Sequence, residues 1–337
     1  MQTVLITGGA GFIGANFIPY FLEMNPNFQI VNLDKLTYAA DLNNLIEVAD
    51  NERYIFVEGD ICDRNLVEKL FQQYNFNGVI HFAAESHVDN SIKNPDAFIK
   101  TNVFGTFILL DVAKKFWANN ENISKTNSKN PRFHHISTDE VYGSLGEEGY
   151  FTEETPYAPN SPYSASKAAS DMLVRSYFHT FGMNVVTTNC SNNYGPKQHD
   201  EKLIPTIIRK AISGENIPIY GNGKNVRDWL HVLDHCKAIE LVYKNGKAGE
   251  TYAIGANSEQ NNVTIANNIC AILDELHPKE TSYKNQITFV TDRLGHDFRY
   301  AIDASKIKNE LHWEPSETFD NGLRNTIKWY VKKYTNL

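Results

Sequence analysis

A tyrosine and a lysine in the segment YSASK have the types and spacing of an acid–base pair. Tyr163 and Lys167 lie four residues apart on a predicted helix, which places both on one face. A tyrosine with a pKa of about 10 is a poor base at neutral pH, but a nearby ammonium and a cationic cofactor ring favour the phenolate. Tyr163 could then remove a hydroxyl proton while the attached carbon gives up a hydride. Because Y-x-x-x-K is a common pattern, an ordinary exposed pair is the alternative.

Two adjacent acids follow an apolar segment at the predicted end of a strand. Asp139 and Glu140 lie in STDEVYG, directly after RFHHI. Neighbouring carboxylates repel each other, so one pKa rises, and one group can be protonated while the other is ionised. The titration then belongs to the pair rather than to either residue. Such a pair suits a reaction that needs an acid and a base together; the alternative is that it caps the next segment.

The segment TGGAGFIG (7–14) has the glycine spacing of a nucleotide-binding turn. Gly9, Gly11 and Gly14 match G-x-G-x-x-G, and Gly8 also allows the variant G-x-x-G-x-x-G. A predicted strand precedes the turn and a predicted helix follows it, so the helix N-terminus offers backbone N–H groups to a pyrophosphate. The context favours a dinucleotide site over a plain glycine-rich turn.

Acidic residues at two later strand ends favour NAD as the dinucleotide. Asp34 ends the second predicted strand 20 residues after Gly14, where a carboxylate can accept both ribose hydroxyls and would repel a 2′-phosphate. Lys35 beside it could tolerate that phosphate. Asp60, in GDICD at the end of the third predicted strand, either faces the adenine or caps the following helix. The sequence therefore predicts NAD rather than NADP.

Short apolar runs alternate with helical patterns and must position these residues. Six buried strands are predicted in TVLIT, QIVNLD, YIFVEGD, GVIHFAA, RFHHIST and NVVTTN, with helices around 12–24, 64–75, 96–118 and 163–181. Continuous apolar strands that alternate with helices indicate parallel pairing with both sheet faces covered. We therefore expect an α/β fold with a doubly wound parallel (Rossmann) sheet and a smaller C-terminal substrate-binding domain.

The regular alternation weakens after about residue 190. CSNNYGPKQHDEKLIP and PIYGNGKNVRDW are rich in turn residues and indicate loops, whereas HCKAIELVYK and TYAIG indicate one more helix and strand of the sheet. The predicted division is an NAD-binding Rossmann domain at 1–190 plus 228–255, and a substrate-binding domain at 191–227 plus 256–337. The Asn-rich stretch 119–130 is predicted to be a surface loop.

The composition narrows the class of protein. The 337 residues carry a formal net charge of −8, which argues against nucleic acid or an anionic membrane as the main partner. The four cysteines form no C-x-x-C pair, which suits a reducing compartment. The chain opens on a strand pattern without a signal peptide, and no apolar run reaches the ~20 residues that span a bilayer. We therefore expect a cytoplasmic protein. We also expect no metal site, since His231 and His235 have no evident third ligand.

These motifs together resemble a known family. The glycine turn, AAESHVD, STDEVYG, YSASK and SNNYGP are similar to extended short-chain dehydrogenases that act on nucleotide sugars, and the similarity covers nearly the whole chain. KLIP, PIYGNGKNVRDWLHV and GHDFRYAID extend it into the C-terminal part. The acid pair resembles that of the 4,6-dehydratases in this family, since the related 4-epimerases lack it. The resemblance implies NAD as cofactor, dTDP-glucose as substrate and a homodimer.

The resemblance implies a lyase reaction with an internal redox cycle. Tyr163, beside Thr138 and Lys167, removes the proton of the 4-OH while hydride passes from C4 to NAD. Glu140 takes the C5 proton as general base, and protonated Asp139 gives its proton to the departing 6-OH. Hydride then returns to C6 and a proton is added at C5, which leaves a 4-keto-6-deoxy sugar nucleotide. These five residues are the predicted catalytic set.

The resemblance also implies binding residues and dimer contacts. The cofactor residues are Gly8, Gly11, Phe12, Ile13, Gly14, Asp34, Lys35, Thr37, Asp60, Ile61, Ala83, Ala84, Ser86, Thr101, Tyr163, Lys167 and Asn192. The substrate residues are His87, Thr138, Asn192, Lys202, Leu203, Pro218, Tyr220, Arg227, Asn262, Arg293 and His296. The dimer contacts come from the helices at 96–118 and 163–181, through Phe104, Phe107, Ile108, Leu173 and Tyr177. Periodicity alone does not separate such a face from one buried against the sheet.

Two other kinds of function stay open at this point. The nearest is another nucleotide-sugar enzyme, a UDP-sugar 4,6-dehydratase or a 4-epimerase, and the acid pair argues against the epimerase. The more distant is a non-enzymatic NAD-binding relative, which the intact pair of Tyr163 and Lys167 argues against. The sequence does not distinguish dTDP from UDP, nor rhamnose from another deoxysugar as the end product.

Overall fold

The computed structural model describes residues 1–119, 131–292 and 296–335. Of the predicted loop at 119–130, all but Asn119 lies outside the described residues, and so does the predicted substrate residue Arg293. Twelve strands are found in the described part: β1 (Gln2–Thr7), β2 (Phe28–Asp34), β3 (Tyr54–Glu58), β4 (Gly78–His81), β5 (Arg132–Thr138), β6 (Val185–Cys190), β7 (Asn192–Tyr194), β8 (Ile217–Tyr220), β9 (Val226–His231), β10 (Thr251–Ile254), β11 (Glu259–Asn261) and β12 (Ile287–Val290).

Helices connect and cover these strands. The α-helices of the described part are α1 (Phe12–Met24), α2 (Arg64–Tyr74), α3 (Val88–Lys93), α4 (Pro95–Phe98), α5 (Thr106–Asn119), α6 (Pro162–Phe181), α7 (Leu203–Ile212), α8 (Val232–Asn245), α9 (Asn262–Leu276), α10 (Ser305–Leu311) and α11 (Phe319–Thr335). A π-turn (Ile99–Gly105) and three short 3₁₀ helices (Leu42–Val48, Asp139–Tyr142 and Tyr283–Gln286) complete the set. Among the described helices, none combines the length and apolar character that a membrane crossing needs.

The main sheet has seven strands in the order β10-β6-β5-β4-β1-β2-β3, and all its neighbours pair in parallel. The six strands predicted from the first half of the sequence are β1 to β6, and TYAIG supplies β10. The chain order reverses between β1 and β4, which opens a crevice at the carboxyl ends of the strands. The predicted doubly wound parallel sheet is therefore confirmed.

Successive strand residues pack against opposite faces of the main sheet. Leu5 belongs to a buried cluster with side chains of α2 and α5, whereas Val4 and Ile6 belong to a cluster with side chains of α1 and α8. All three residues are fully buried. Both faces of the sheet are thus covered by helices, which explains why Val4, Leu5 and Ile6 are apolar in succession rather than alternating with polar residues.

The later part of the chain forms two small sheets with a separate core. The sheets have the orders β11-β9-β7 and β12-β8. Their core includes Ile207, Ile265 and Ile327, which come from α7, α9 and α11. Helix α10 packs elsewhere, since Ile307 lies in a cluster with Tyr252 of β10. The chain therefore returns to the main sheet after it has entered the second core.

The long helix predicted at 96–118 is interrupted by the π-turn between α4 and α5. Asn102 in this turn is buried, and its amide donates to the Glu85 carbonyl at 3.0 Å and the Ser166 hydroxyl at 2.8 Å. The wider turn thus joins the segment after β4 to helix α6. Such turns inside helices frequently occur at functional sites, and Thr101 of this one lines the pocket described next.

Candidate active site

A pocket of about 310 Å³ lies at the carboxyl edge of the main sheet, where the strand order reverses. Its lining residues lie at or just after the ends of β1, β2, β3, β4 and β5, and they include Tyr163 and Lys167 of α6. Ligands of doubly wound folds bind in this crevice. The residues singled out from the sequence can therefore be examined as one site.

The glycine turn after β1 forms one side of the pocket. Gly8 has a φ of +73°, and a Cβ there would lie 2.5 Å from the Ala83 nitrogen, so a larger residue requires a shift. A Cβ on Gly14 would lie 2.6 Å from the Gly8 oxygen, because α1 approaches the turn closely. Gly11 is the N-cap of α1 and brings no capping side chain. This helix terminus suits a bound anion.

Asp34, the last residue of β2, is held by the backbone on both carboxylate oxygens. Oδ2 accepts a hydrogen bond from the Ala10 N–H and Oδ1 accepts one from the Leu36 N–H, each at 2.9 Å. Burial raises the pKa of Asp34, and these two hydrogen bonds act in the opposite direction. Lys35 also lines the pocket, and its Nζ lies 2.7 Å from Asp60 Oδ2. The positive charge next to Asp34 is therefore matched by a second carboxylate.

The alternative interpretation of Asp60 as a helix cap is wrong. The N-cap of α2 is Asp63, whose carboxylate accepts a hydrogen bond from the Leu66 N–H at 3.1 Å. Asp60 accepts one from the Cys62 N–H at 2.8 Å and lines the pocket. Its place beside an adenine stays a prediction.

The acid pair lies on a short helix that begins where β5 ends. Thr138 is the last residue of β5, and its Oγ1 accepts a hydrogen bond from the Glu140 N–H at 3.3 Å, which caps the 3₁₀ helix Asp139–Tyr142. Successive residues of a strand would point to opposite faces, whereas this tight turn lets both acids line the pocket. Asp139 is only 1% exposed, and Glu140 is half-buried.

Burial has a strong effect on the pKa of Asp139. It raises the pKa of Asp139 well above its ordinary value, Glu140 raises this pKa further, and the charge of Arg227 lowers it. Within the described part of the chain, no group hydrogen-bonds Asp139 Oδ2. A carboxyl in such surroundings keeps its proton to a higher pH than usual and can donate it into the pocket.

Helix α6 begins with a capping box that fixes its first turn. Ser161 Oγ accepts a hydrogen bond from the Ser164 N–H at 3.1 Å, and Ser164 Oγ accepts one from the Ser161 N–H at 3.0 Å. Tyr163 and Lys167 follow, and both line the pocket. Lys167 Nζ donates to the Ile136 carbonyl at 2.8 Å, which ties the helix to β5. The predicted pair is therefore buried in the site rather than exposed.

Burial has the largest effect on the pKa of Tyr163 among the groups of the protein itself. Burial raises the pKa of Tyr163 well above its ordinary value, and the charge of Glu140 raises it further, whereas Thr138 acts in the opposite direction. Burial also lowers the pKa of Lys167. A role for Tyr163 as base therefore requires a further positive charge beside the phenol.

Every predicted cofactor residue lines this one pocket, as do the five predicted catalytic residues. The pocket brings together Gly8, Gly11, Phe12, Ile13, Gly14, Asp34, Lys35, Thr37, Asp60, Ile61, Ala83, Ala84, Ser86, Thr101, Thr138, Asp139, Glu140, Tyr163, Lys167 and Asn192. Their individual roles remain predictions.

The predicted substrate residues divide into two groups. Thr138, Asn192 and Lys202 line the pocket. The other described members lie on adjoining elements: His87 at the N-cap of α3, Leu203 at the start of α7, Pro218 and Tyr220 on β8, Arg227 on β9, Asn262 at the start of α9 and His296 after β12.

Arg227 lies on β9, outside the main sheet, and its charge acts on the acid pair. Its guanidinium lies 4.2 Å from the centre of the Tyr300 ring and donates to the carbonyls of Val226 and Asp297. Its charge lowers the pKa of Asp139, so it lies close enough to act on the proposed acid. This position supports a place for Arg227 on the substrate side of the site.

One side of the pocket was missed by the sequence analysis. Gln198, His199 and Glu201 line it next to Lys202. The Tyr38 hydroxyl donates to Glu201 Oε1 at 3.2 Å, so the loops after β2 and β7 meet there. The turn-rich composition of YGPKQHDEK was the available signal. It indicates a loop but does not reveal a partner 163 residues away.

The two histidines spaced like zinc ligands are engaged in the protein interior. His235 is buried, with Nδ1 2.9 Å from Asn193 Oδ1, and His231 packs its ring against Tyr194. Within residues 1–119, 131–292 and 296–335, no group of three or more His, Cys, Asp or Glu side chains could hold a metal ion.

A doubly wound sheet with a glycine turn, an acid at the end of β2 and a Tyr–Lys pair on α6 defines an enzyme of the short-chain dehydrogenase type. Comparison with known proteins refines this class. A family model described as GDP-mannose 4,6 dehydratase matches residues 5–326. A dTDP-glucose 4,6-dehydratase of Xanthomonas campestris pv. campestris (strain B100) is 55% identical over 338 residues, covering 99% of this chain and 95% of that protein.

Two crystal structures of dTDP-glucose 4,6-dehydratases are similar along the whole chain. The enzyme of Bacillus anthracis str. Ames, in complex with NAD, has a TM-score of 0.88 at 45% identity. The enzyme of Streptomyces venezuelae, with NAD and TYD bound, has a TM-score of 0.90 at 42% identity. Each of the two alignments covers 99% of this chain and 98% of the related enzyme. The chain belongs to the GDP-mannose 4,6 dehydratase family, and the resemblance to 4,6-dehydratases seen in the sequence is confirmed.

Proposed function

We propose that this chain is an NAD-dependent hydro-lyase that converts dTDP-glucose to dTDP-4-keto-6-deoxyglucose and water. The observation that carries the proposal is the placement of Asp139 and Glu140 in the same pocket as Tyr163 and Lys167. Transfer of a hydride alone would need the Tyr–Lys pair, whereas an elimination also needs an acid and a base. A relative 55% identical over 99% of the chain is named for this activity, which favours it over a 4-epimerase.

The pocket fits NAD. The close-packed glycine turn and the uncapped N-terminus of α1 suit a diphosphate, and Asp34 suits a ribose. The Asp34 carboxylate would repel a 2′-phosphate, and Lys35, which could offset this repulsion, is paired with Asp60. When bound, NAD supplies a hydride acceptor and a positive charge in the pocket. The NAD complexes of the related enzymes support the same cofactor here.

Each of three side chains in the pocket takes or gives one proton in the proposed reaction. Tyr163, with Thr138 and Lys167 nearby, takes the proton of the 4-OH. Burial raises the pKa of Asp139, which favours its protonated form, so it gives a proton to the departing 6-OH. Glu140 is half-buried and takes the C5 proton. The unequal burial of the two acids therefore supports which one serves as acid and which as base.

The first experiment follows the mass of the sugar nucleotide. Purified protein is incubated with dTDP-glucose and no added cofactor, and the product is analysed by mass spectrometry. Loss of one water with no net NADH is expected, because hydride leaves and returns within one turnover. An unchanged mass with inverted configuration at C4 would instead make the chain an epimerase and overturn the roles of Asp139 and Glu140.

Variants of the acid pair test the assignment of roles. Asp139→Asn and Glu140→Gln should each lower the rate of water loss at least about 100-fold, the usual size of an acid–base contribution, while nucleotide-sugar binding persists. The matched control is Glu148→Gln, which removes an exposed carboxylate a few residues away. Near-normal turnover in both acid-pair variants would contradict the assignment.

We expect the preference for dTDP or UDP to depend on β8, which lies in the predicted substrate-binding domain. Tyr220 is 41% exposed on β8, where its ring is available to stack on a pyrimidine. Parallel assays with dTDP-glucose and UDP-glucose measure the preference, and we expect a higher kcat/KM for dTDP-glucose. A higher value for UDP-glucose would keep the reaction class and change the substrate.

We propose that the enzyme is a homodimer that pairs through α5 and α6. Phe104 in the π-turn before α5 is 49% exposed, and Met172 and Phe181 on α6 are 49% and 52% exposed, which is unusual for large apolar side chains. Two residues predicted from the sequence as dimer contacts, Ile108 and Tyr177, are instead buried in the chain's own core. The proposed contact therefore rests on the exposed residues.

We also propose the domain division predicted from the sequence and a cytoplasmic location. The separate cores of the main sheet and of α7, α9 and α11 support the division, although α10 packs against β10. The four cysteines are free thiols, which suits a reducing compartment. Limited proteolysis would test the first proposal, and fractionation of the source cells the second.

A further inference from the structure

A buried carboxylate outside the pocket lies one helical turn beyond Lys167. Asp171 is 4% exposed, and it follows Lys167 by four residues on α6. Its Oδ2 accepts hydrogen bonds from the Ser137 hydroxyl at 2.8 Å, the Tyr157 hydroxyl at 3.0 Å and the Asn189 amide at 3.2 Å. Donors from β5, β6 and the segment before α6 thus converge on one oxygen, and together they fix this carboxylate in place.

The other oxygen of Asp171 makes no hydrogen bond within the described residues and lies close to a histidine that Lys167 also approaches. Asp171 Oδ1 lies 3.1 Å from His135 Nε2, and the same nitrogen lies 3.5 Å from Lys167 Nζ. His135 is fully buried on β5, and burial together with the charge of Lys167 lowers its pKa well below the ordinary value. His135 is therefore a neutral imidazole, and its Nε2 can either donate to Asp171 or accept from Lys167, but not both at once.

Lys167 needs such a partner because its site disfavours a charge. It is 4% exposed, and burial lowers its pKa, whereas the charge of Asp171 is the largest influence that raises it. The titratable groups that face Lys167 and Asp171 from the packed elements are His81 on β4, His135 on β5, Tyr142 in the 3₁₀ helix, Tyr157, Cys190 on β6 and Tyr163 on α6. Burial holds each of these in its neutral form at neutral pH.

We propose that Asp171 is a positioning residue that keeps Lys167 in its ammonium form and in place, with His135 between the two. The inference rests on the proposed function, because the ammonium matters only if Tyr163 has to become a phenolate. Asp171 touches neither the pocket nor the reacting atoms and acts through Lys167 alone. Burial raises the pKa of Asp171 itself to about 6, so the ion pair exists only above that pH.

The test is the pH dependence of kcat with dTDP-glucose for wild type and Asp171→Asn. Without the carboxylate, Lys167 should lose its proton at a lower pH, so the alkaline limb should move down by about one pH unit or more. The value of kcat at the optimum should fall about tenfold, while KM for the sugar nucleotide stays within about twofold. A uniform loss of kcat with an unmoved alkaline limb would reduce Asp171 to a packing role and overturn the proposal.

A second variant keeps the proposal testable if Asp171→Asn does not fold. Tyr157→Phe keeps the carboxylate but removes one hydrogen bond that lowers its pKa, so the acid limb should move to higher pH and the alkaline limb should stay. Unmoved limbs in this variant would also contradict the proposal. The control is Ser176→Ala, an exposed residue of the same helix whose hydroxyl donates to the Leu173 carbonyl, and it should move neither limb.

The wild-type reaction separates the two possible failures. If wild-type protein releases no water from any nucleotide sugar, the proposed function fails before Asp171 is at issue. If wild type is active and the variants leave both limbs in place, only the inference about Asp171 fails.

Discussion

At the scale of single residues, the burial of Asp139 makes the free energy of unfolding depend on pH. Its pKa in the folded protein is raised well above the ordinary value of 3.8. Between the two pKa values the folded state binds more protons than the unfolded state, so stability falls as the pH rises through that window. The loss is complete once the pH exceeds the pKa of the folded state.

We therefore expect Asp139→Asn to be more stable than wild type, and the difference to grow with pH. An amide does not ionise, so the variant escapes the loss that wild type suffers above pH 3.8. Urea unfolding at about pH 5 and about pH 8 measures the difference in free energy of unfolding, which should be larger at the higher pH. Glu148→Gln is the exposed control, and an Asp139→Asn difference that does not change with pH would contradict the expectation.

Residue types and local spacing revealed the chemistry, but not the long-range contacts that tune it. Tyr163 and Lys167 are four residues apart, and Asp139 and Glu140 are adjacent, so both pairs are visible in a short segment. Glu201 meets Tyr38 across 163 residues, and no local pattern encodes that contact. The sequence also could not give the direction of the pKa of Tyr163, because burial, the largest influence, depends on the whole fold.

At the scale of elements, the first turn of α6 sets the position of Tyr163. We expect Ser161→Ala to cost about 1 kcal/mol of stability, because it removes the acceptor for the Ser164 N–H. Tyr163 lies within that turn, so kcat should fall as well. Ser176→Ala is the control, since this exposed residue on the same helix only bonds the Leu173 carbonyl. Urea unfolding and steady-state kinetics check both, and equal effects of the two variants would contradict the role of the capping box.

Helix and strand positions followed from the sequence where periodicity was clear. The apolar residues of β1, such as Val4, Leu5 and Ile6, are buried on both faces, which gives a strong parallel-strand pattern. The π-turn did not follow, because its cause is a set of contacts from Asn102 to Glu85 and Ser166 rather than a local signal. The 3₁₀ helix that carries the acid pair was likewise invisible, although the end of β5 was placed correctly.

At the scale of the whole molecule, the exposed apolar side chains of Phe104, Met172 and Phe181 predict the oligomeric state. Sedimentation velocity should give twice the 38.2 kDa mass of the chain for wild type. The double substitution Met172→Glu and Phe181→Glu should give the single mass, because it places charges on both sides of the proposed contact. Ile46→Glu is the control, since Ile46 is 73% exposed on another element. A wild-type monomer would contradict the proposal.

The strand order of the main sheet also determines when its edge strand can pair during translation. The edge strand β10 pairs with β6, yet β7, α7, β8, β9 and α8 are synthesised between them. The β6 edge therefore stays unpaired until residue 254 has emerged, and the second core waits for Ile327 on the last helix. Unpaired edges and exposed apolar faces are what chaperones protect. Such protection would therefore serve the β6 edge while residues 191 to 254 are synthesised.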